Sequence, residues 1–259
     1  MGPFHTYIGL DYSGAGTALS PLPGLSLYVA TGDAAPGRML PPGGIARYWT
    51  RRDVAAWLVE TLRSRGPMLV GVDHGFSFPV RYFETHGLAA DWSRFLDDFQ
   101  AHWPTDEADV TVEAVRRGRA GSGLERRGDA RWRRLSEVRS RAKSVFHFDV
   151  PGSVAKSTHA GLPWLRHLRR ELGGRCFFWP FDGWIPRPGC SVIAEVYPAL
   201  CNQEAAGAGR NAHEHDAWSV ARWMQQSAAD GTLTAAFAPR LTAQERETAR
   251  VEGWILGCQ

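Results

Sequence analysis

Tyr7-Ile8-Gly9-Leu10-Asp11-Tyr12-Ser13-Gly14 is an apolar run that carries a single carboxylate at its end and then breaks into small residues. Val70-Gly71-Val72-Asp73-His74-Gly75 repeats that plan: a hydrophobic strand, an acid, then glycine. Ile193-Ala194-Glu195-Val196-Tyr197-Pro198 places a third acid inside an apolar strand, and His215-Asp216-Ala217-Trp218 sets a fourth near the start of a predicted helix. Burying a carboxylate is costly unless something neutralises it. Three such strands and an acidic helix start share one simple explanation, a divalent cation.

Outward from these stretches, residues 5–12 read as a buried strand and 25–30 as a second, more alternating one. The Gly/Pro-rich tract 34–44 is a loop or a bent third strand. Thr50-Arg51-Arg52-Asp53 has the form of a helix N-cap, and Val54, Trp57, Leu58, Val59 and Leu62 give that helix its apolar stripe up to Gly66-Pro67. Residues 68–73 are apolar on both faces, as a central parallel strand is. Trp92, Phe95, Leu96, Phe99 and Trp103 recur at helical spacing and predict a helix over 89–102, its aromatics directed into the core. Residues 149–158 read as a loop, and Gly161-Leu162-Pro163 as the opening of a helix that stops at Gly173-Gly174. Strands follow at 176–178 and 191–196, then a helix over about 213–228 capped by Asn211. A capping box at Thr242 and Glu245 opens a last helix over about 243–256. Strands first, then helices alternating with strands, predict a single α/β domain spanning 1–259 with helices on both sheet faces.

A hydrophobic share of 44% over 259 residues is enough for a sizeable core. No stretch approaches the roughly 18 apolar residues of a membrane span, and the N-terminus lacks a basic-then-apolar leader pattern, so the expected location is cytoplasmic, away from membranes. The four cysteines show neither CxxC pairing nor zinc spacing and are expected to be reduced. The net charge of +3 is unevenly spread. Between Arg116 and Lys143, ten Arg and one Lys face three acids, a local +8 that leaves −5 for the rest of the chain. Its first half, broken by glycines, reads as a flexible loop, and 130–143 as an exposed basic helix. Arg126, Arg127, Arg131, Arg133 and Arg134 are candidates to neutralise a nucleic-acid backbone, with Trp132 as a base-stacking side chain; a solvated face is the plainer alternative.

Acids at the ends of parallel strands gather at one sheet edge, where active sites of such folds lie. Asp11, Asp73 and Glu195 are expected on neighbouring strands, with Asp216 approaching from a helix N-terminus, although each alone also reads as a cap or an ion-pair partner. An oxygen-rich cluster suits Mg²⁺ or Mn²⁺, and two such ions about 3.5–4 Å apart activate water and stabilise the leaving oxygen of a phosphodiester. His74 beside Asp73, and His213 three residues before Asp216, are candidates to carry a proton. Lys156, with Ser153, Ser157 and Thr158, makes a polar loop able to touch phosphate.

Ile8-Gly9-Leu10-Asp11, Val70-Gly71-Val72-Asp73 with Phe78-Pro79 after it, Glu195-Val196-Tyr197-Pro198-Ala199 and the His215-Asp216-Ala217-Trp218 helix start together resemble the RNase H-like superfamily, and most closely its domain-of-unknown-function family 429, regarded as predicted nucleases. The resemblance implies a mixed sheet of about five strands flanked by helices, with acids meeting at the first and fourth strands. It also implies that Asp11, Asp73, Glu195 and Asp216 bind the metal of a nuclease. The basic stretch 116–143 has no counterpart in that pattern and reads as an insertion. Two other readings stand beside this one. Asp11-Tyr12-Ser13-Gly14-Ala15-Gly16-Thr17 and Asp73-His74-Gly75 also look like the phosphate loops of actin-like sugar kinases and ATPases. Alternatively, the acids are vestigial and the basic segment makes the chain a non-catalytic nucleic-acid-binding module.

Overall fold

The computed structural model describes residues 4–44, 46–201 and 209–259. Its strands are β1 (Thr6–Asp11), β2 (Ser26–Thr31), β3 (Gly37–Arg38), β4 (Met68–Asp73), β5 (Cys176–Trp179) and β6 (Ser191–Glu195). The helices are α1 (Arg51–Ser64), α2 (Val80–His86), α3 (Trp92–His102), α4 (Val112–Arg116), α5 (Leu135–Arg139), α6 (Ala155–Leu172), α7 (Pro198–Cys201), α8 (Ala212–Ala229), α9 (Leu233–Ala236) and α10 (Ala243–Glu252). One mixed sheet takes the order β3-β2-β1-β4-β6-β5. Antiparallel pairing joins β3, β2 and β1, and parallel pairing joins β1, β4, β6 and β5. The sheet has six strands where about five were expected, and of the Gly/Pro tract only two residues pair.

Successive side chains of a strand face opposite ways, which sorts the core into layers. Ile8, Leu10, Val70 and Val72 pack with the apolar stripes of α1, α3 and α6 on one face. Tyr7, Leu69, Val192 and Ala194 pack on the other, with Val220 and Met224 of α8 and the chain end around Trp254. Helix α8 lies unusually close to the sheet. A Cβ on Gly9 would stand 2.0 Å from the Ala217 carbonyl oxygen, and one on Gly71 only 2.8 Å from Val220. That closeness aligns two repeats. Two strand residues rise about 6.6 Å and four helical residues about 6.0 Å, so a helix that sets Ala217 against Gly9 sets His213 against Asp11.

Helix α6 begins at Ala155, well before the Gly161-Leu162-Pro163 start predicted for it, so Pro163 lies inside the helix. Proline removes one amide and leaves the carbonyl four residues earlier without its helical donor. Here that carbonyl belongs to His159, and the Thr105 hydroxyl donates to it at 2.8 Å. A partner 54 residues away therefore supplies what the helix lacks.

The basic stretch also differs from expectation. In place of a flexible loop and an exposed helix over 130–143, it folds as the end of α4, a short 3₁₀ turn at Gly123–Arg126 and the five residues of α5. The four cysteines are free thiols. Among the described residues no helix is long and apolar enough to cross a membrane.

Gly9→Ala is expected to destabilise the protein by about 3 kcal/mol or more, since backbone of α8 blocks the added methyl and overpacking of this kind costs roughly 1–3 kcal/mol even where side chains can shift. Gly174→Ala, where a Cβ meets nothing within 4 Å, is the control and should stay within about 0.5 kcal/mol. Urea unfolding of both variants makes the comparison; equal losses would contradict the close approach of α8.

Candidate functional site

Asp11 and Asp73 are partners in the parallel register of β1 and β4, so their side chains share one face, toward α8, with the strands about 4.8 Å apart. Asp11 is buried and Asp73 partly exposed at its strand end. The two carboxyl groups are close enough to shift each other's pKa. Burial raises the Asp73 pKa well above the ordinary carboxylate range, and repulsion from Asp11 and then Asp216 adds to it. Burial also raises Asp11, opposed by its bond to His213. The His213 Nδ1 stands 2.6 Å from Asp11 Oδ2. That bond raises the histidine's pKa, so the imidazolium is favoured beside the acids. Asn211 caps α8 by accepting from the Glu214 amide, and Glu214 answers by accepting from the Asn211 amide. This box fixes the first turn of the helix, which carries His213, with Asp216 immediately after it.

Glu195 stands apart from this group. It sits next to Val72 in the β4–β6 register, but Arg134 takes both its oxygens, at 2.7 and 2.5 Å, and the Phe76 amide donates to it at 3.0 Å. Arg134 is itself 1% exposed, and it binds Glu137 through Nε at 3.0 Å. Glu252 supports the same corner by accepting from the amides of Val80 and Leu135. The expectation that Glu195 completes a metal shell is thus corrected: its charge is already matched by a guanidinium. Arg134, expected on a nucleic-acid-binding face, is a core residue.

His74 is likewise corrected as a proton carrier. It is buried, its Nδ1 meets the Gly75 carbonyl, Tyr12 and Phe76 pack on its ring, and burial depresses its pKa to about 4. Gly161 lies directly against the ring, where a Cβ would come within 2.4 Å of Nε2. Several other arginines of the basic stretch are engaged locally. Arg126 grips Asp98 through two bonds of 2.9 Å, Arg131 folds back on Asp129, and Arg133 donates to the carbonyls of Glu137 and Ala142. Arg127 is exposed and enters no ion pair among the described residues. Trp132 packs on Phe146 instead of standing out as a stacking platform.

A cleft of about 680 Å³ opens beside the acids, lined by His213, the Ser13–Gly16 loop, Arg117 and the first turn of α6 with Lys156 and Ser157. Lys156 is exposed in it. The loop is held from beneath by Arg51, fully buried, which donates to the carbonyls of Ser13, Ala15 and Gly16 at 3.0, 2.7 and 3.2 Å. The sequence reading missed this role of Arg51, because the residue lies inside the Thr50 capping motif and looks like an ordinary first-turn cation. It missed Glu137 and Glu252 as well, for which no local pattern was available.

Among the described residues, no three His, Cys, Asp or Glu side chains converge into a ready-made metal-binding group. The Asp11–Asp73 pair still fits a hard cation. Mg²⁺ keeps several of its waters and binds through one or two carboxylates plus substrate phosphate, more often than in all-protein cages. Comparison with family models, with curated proteins and with solved structures finds no match to this chain.

Two measurements follow from this geometry. A raised pKa means that the native state holds the proton more tightly than the unfolded chain. Its stabilising contribution is complete below the unfolded value and is lost as pH rises through the folded one. Asp73 and His213 both have this sign. Metal-free protein is therefore expected to lose thermal stability as pH rises above the ordinary carboxyl range near 4, with a further loss above the ordinary histidine range near 6.5. Asp73→Asn should flatten the first part of that profile. Mn²⁺ should raise the melting temperature of the natural chain more at about pH 8 than at about pH 5, and that of Asp73→Asn little. A flat profile in the natural chain would count against the crowded pair. Separately, Arg134→Met leaves Glu195 and Glu137 buried without their cation, and should lower stability by about 3–5 kcal/mol in urea unfolding.

Proposed function

We propose that this chain is a divalent-metal-dependent phosphodiesterase of RNase H-like fold, acting on nucleic acid. The observation that carries the reading is the pair of in-register carboxylates, Asp11 and Asp73, on adjacent parallel strands, with His213 bonded to one of them and a cleft holding Lys156 alongside. Acids on the first and fourth strands are what the family resemblance implies, and a mixed sheet with antiparallel β1–β2 and parallel β1–β4 pairing is consistent with it.

In this reading Asp11 and Asp73 hold Mg²⁺ or Mn²⁺, and Asp216 adds negative charge from the helix side. When bound there, the ion supplies Lewis acidity toward a phosphoryl oxygen and acidifies water. The chain's own residues do the rest. Lys156 draws phosphate into the cleft, and His213, held by Asp11 through Nδ1, is the group that carries a proton. Glu195 does not touch the ion; through Arg134 and the Phe76 amide it fixes the backbone that follows Asp73.

One observation favours a second reading. Arg51 draws three carbonyls of the Ser13–Gly16 loop inward, and a loop so held beside a lysine also suits the phosphates of ATP in an actin-like phosphotransferase. Stabilisation by ATP with Mg²⁺, without cleavage of nucleic acid, would favour it.

The deciding experiment is cleavage of labelled DNA and RNA, single- and double-stranded, with Mn²⁺, Mg²⁺ or EDTA. Cleavage is expected only with metal. Asp11→Asn and Asp73→Asn should each reduce it by at least about a hundredfold, and His213→Ala by about ten- to a hundredfold. Cleavage that persists in EDTA or in Asp11→Asn would overturn the assignment.

A further inference from the structure

Next to the cleft lies a second cavity, of about 240 Å³, walled by the rings of Trp103, Phe148 and His159, with Leu124, Arg116 and Arg127 completing it. It falls below the roughly 300–1,000 Å³ of pockets that take drug-sized ligands, so one ring system is what it can enclose. The Trp103 and Phe148 rings are parallel within 7°, their centroids 6.2 Å apart, and the Arg116 guanidinium lies 4.3 Å over the Phe148 ring. Trp103 is 3% exposed, yet its buried Nε1–H meets no acceptor among the described residues. Gly123 lies against that edge of the indole, where a Cβ would stand 2.9 Å from Nε1. His159 donates its Nδ1–H to the Ala155 carbonyl at 2.8 Å and is held neutral by burial, so its Nε2 keeps a lone pair. The cavity therefore offers an acceptor, aromatic walls and two cations among its lining, with an unpartnered indole N–H buried just behind its wall.

The cavity and the cleft share their dividing wall. Arg116, in the cavity, binds Glu113 at 3.1 Å and Asp149 at 2.9 Å, and both acids line the cleft. Helix α6 contributes Lys156 to the cleft and His159, one turn later, to the cavity.

We propose that this cavity binds a single unstacked nucleobase, so that the substrate drawn into the cleft is a single-stranded nucleic acid. A base presents donors and acceptors on its edge and a planar face for aromatic walls, whereas a base inside a duplex cannot reach such a recess without leaving the stack. The phosphate attached to that base would fall near Arg127, whose guanidinium has no competing ion pair among the described residues. This inference rests on the phosphodiesterase reading for its substrate, but its test does not depend on cleavage.

The test is equilibrium binding in EDTA of a short labelled single-stranded oligonucleotide, the matching duplex, and adenosine monophosphate as competitor. It compares the natural chain with Leu124→Trp, which fills the cavity from a side chain that is 40% exposed, and with the surface variant Arg127→Ala. Single strand should bind more tightly than duplex. Leu124→Trp should weaken that binding about tenfold or more, in line with the loss of one stacked base. Arg127→Ala should weaken it less and reduce its salt dependence. Duplex binding as tight as single strand, or single-strand binding unchanged in both variants, would overturn the proposal. Metal- and Asp11-dependent cleavage with both variants fully active would leave the phosphodiesterase reading standing and remove this one. Variant-sensitive binding without any cleavage would do the reverse.

Discussion

Repulsion between Asp11 and Asp73 is the constraint to which the rest of this end of the sheet answers. Parallel strands in register bring the two side chains within one strand spacing of each other, and neither receives an arginine or lysine among the ion pairs of the described residues. Burial raises both pKa values, so the pair holds on to a proton that isolated aspartates would release. One strand away the acid is treated differently: Glu195 is met by Arg134 in a bidentate pair, and the Phe76 amide donates to it as well. The same sheet edge thus treats its acids in two ways: Glu195 is matched by a guanidinium, whereas Asp11 has the His213 imidazole and Asp73 has no ion pair among those of the described residues.

The two helices that meet this edge follow from small residues more than from large ones. Gly9, Gly71, Ala217 and Ala221 let α8 lie close enough on the sheet to bring His213 to Asp11. On the opposite side, Gly14 and Gly161 do the same for α6. A Cβ at the first would strike the backbone of Lys156 at 2.2 Å, and one at the second would strike the His74 ring. The Thr158 hydroxyl, accepting from the Gly75 amide at 2.8 Å, then ties the start of α6 to the turn after Asp73. Lys156 reaches the cleft because that tie holds the first turn of its helix against both strand ends.

What was legible in the sequence was local. The caps at Thr50, Asn211 and Thr242 depend on side chains bonding amides three residues on, and all three fall where the motif places them. The apolar runs that end in Asp11 and Asp73 read correctly as buried strands because burial on both faces leaves a continuous hydrophobic signature. The misreadings needed distant partners. Pro163 opens a helix by local rules, yet lies inside one because Thr105 supplies the missing donor to His159. Arg134 and Glu195 are 61 residues apart, and nothing near either marks them as a pair. A run of arginines reads as a free basic face, whereas Asp98, Asp129, Glu137 and Glu195 bind three of them, Arg126, Arg131 and Arg134. Charge counted along a chain says little about charge available at a surface.

The same distinction bears on how such a site would choose its substrate. If most of the basic stretch is spent on internal bonds, a long electrostatic track along duplex phosphates is not what this surface offers, and affinity has to come from fewer and more specific contacts. Lys156 in the cleft and Arg127 beside the aromatic cavity are two such cations, set on either side of the wall formed by α4 and Asp149. In the proposed reading, two point charges and one ring-sized recess would suit a short stretch of strand with a base turned out. They would suit a uniform rod of phosphates less well. The arginines that fold the segment are therefore also the reason its charge cannot do the work first expected of it.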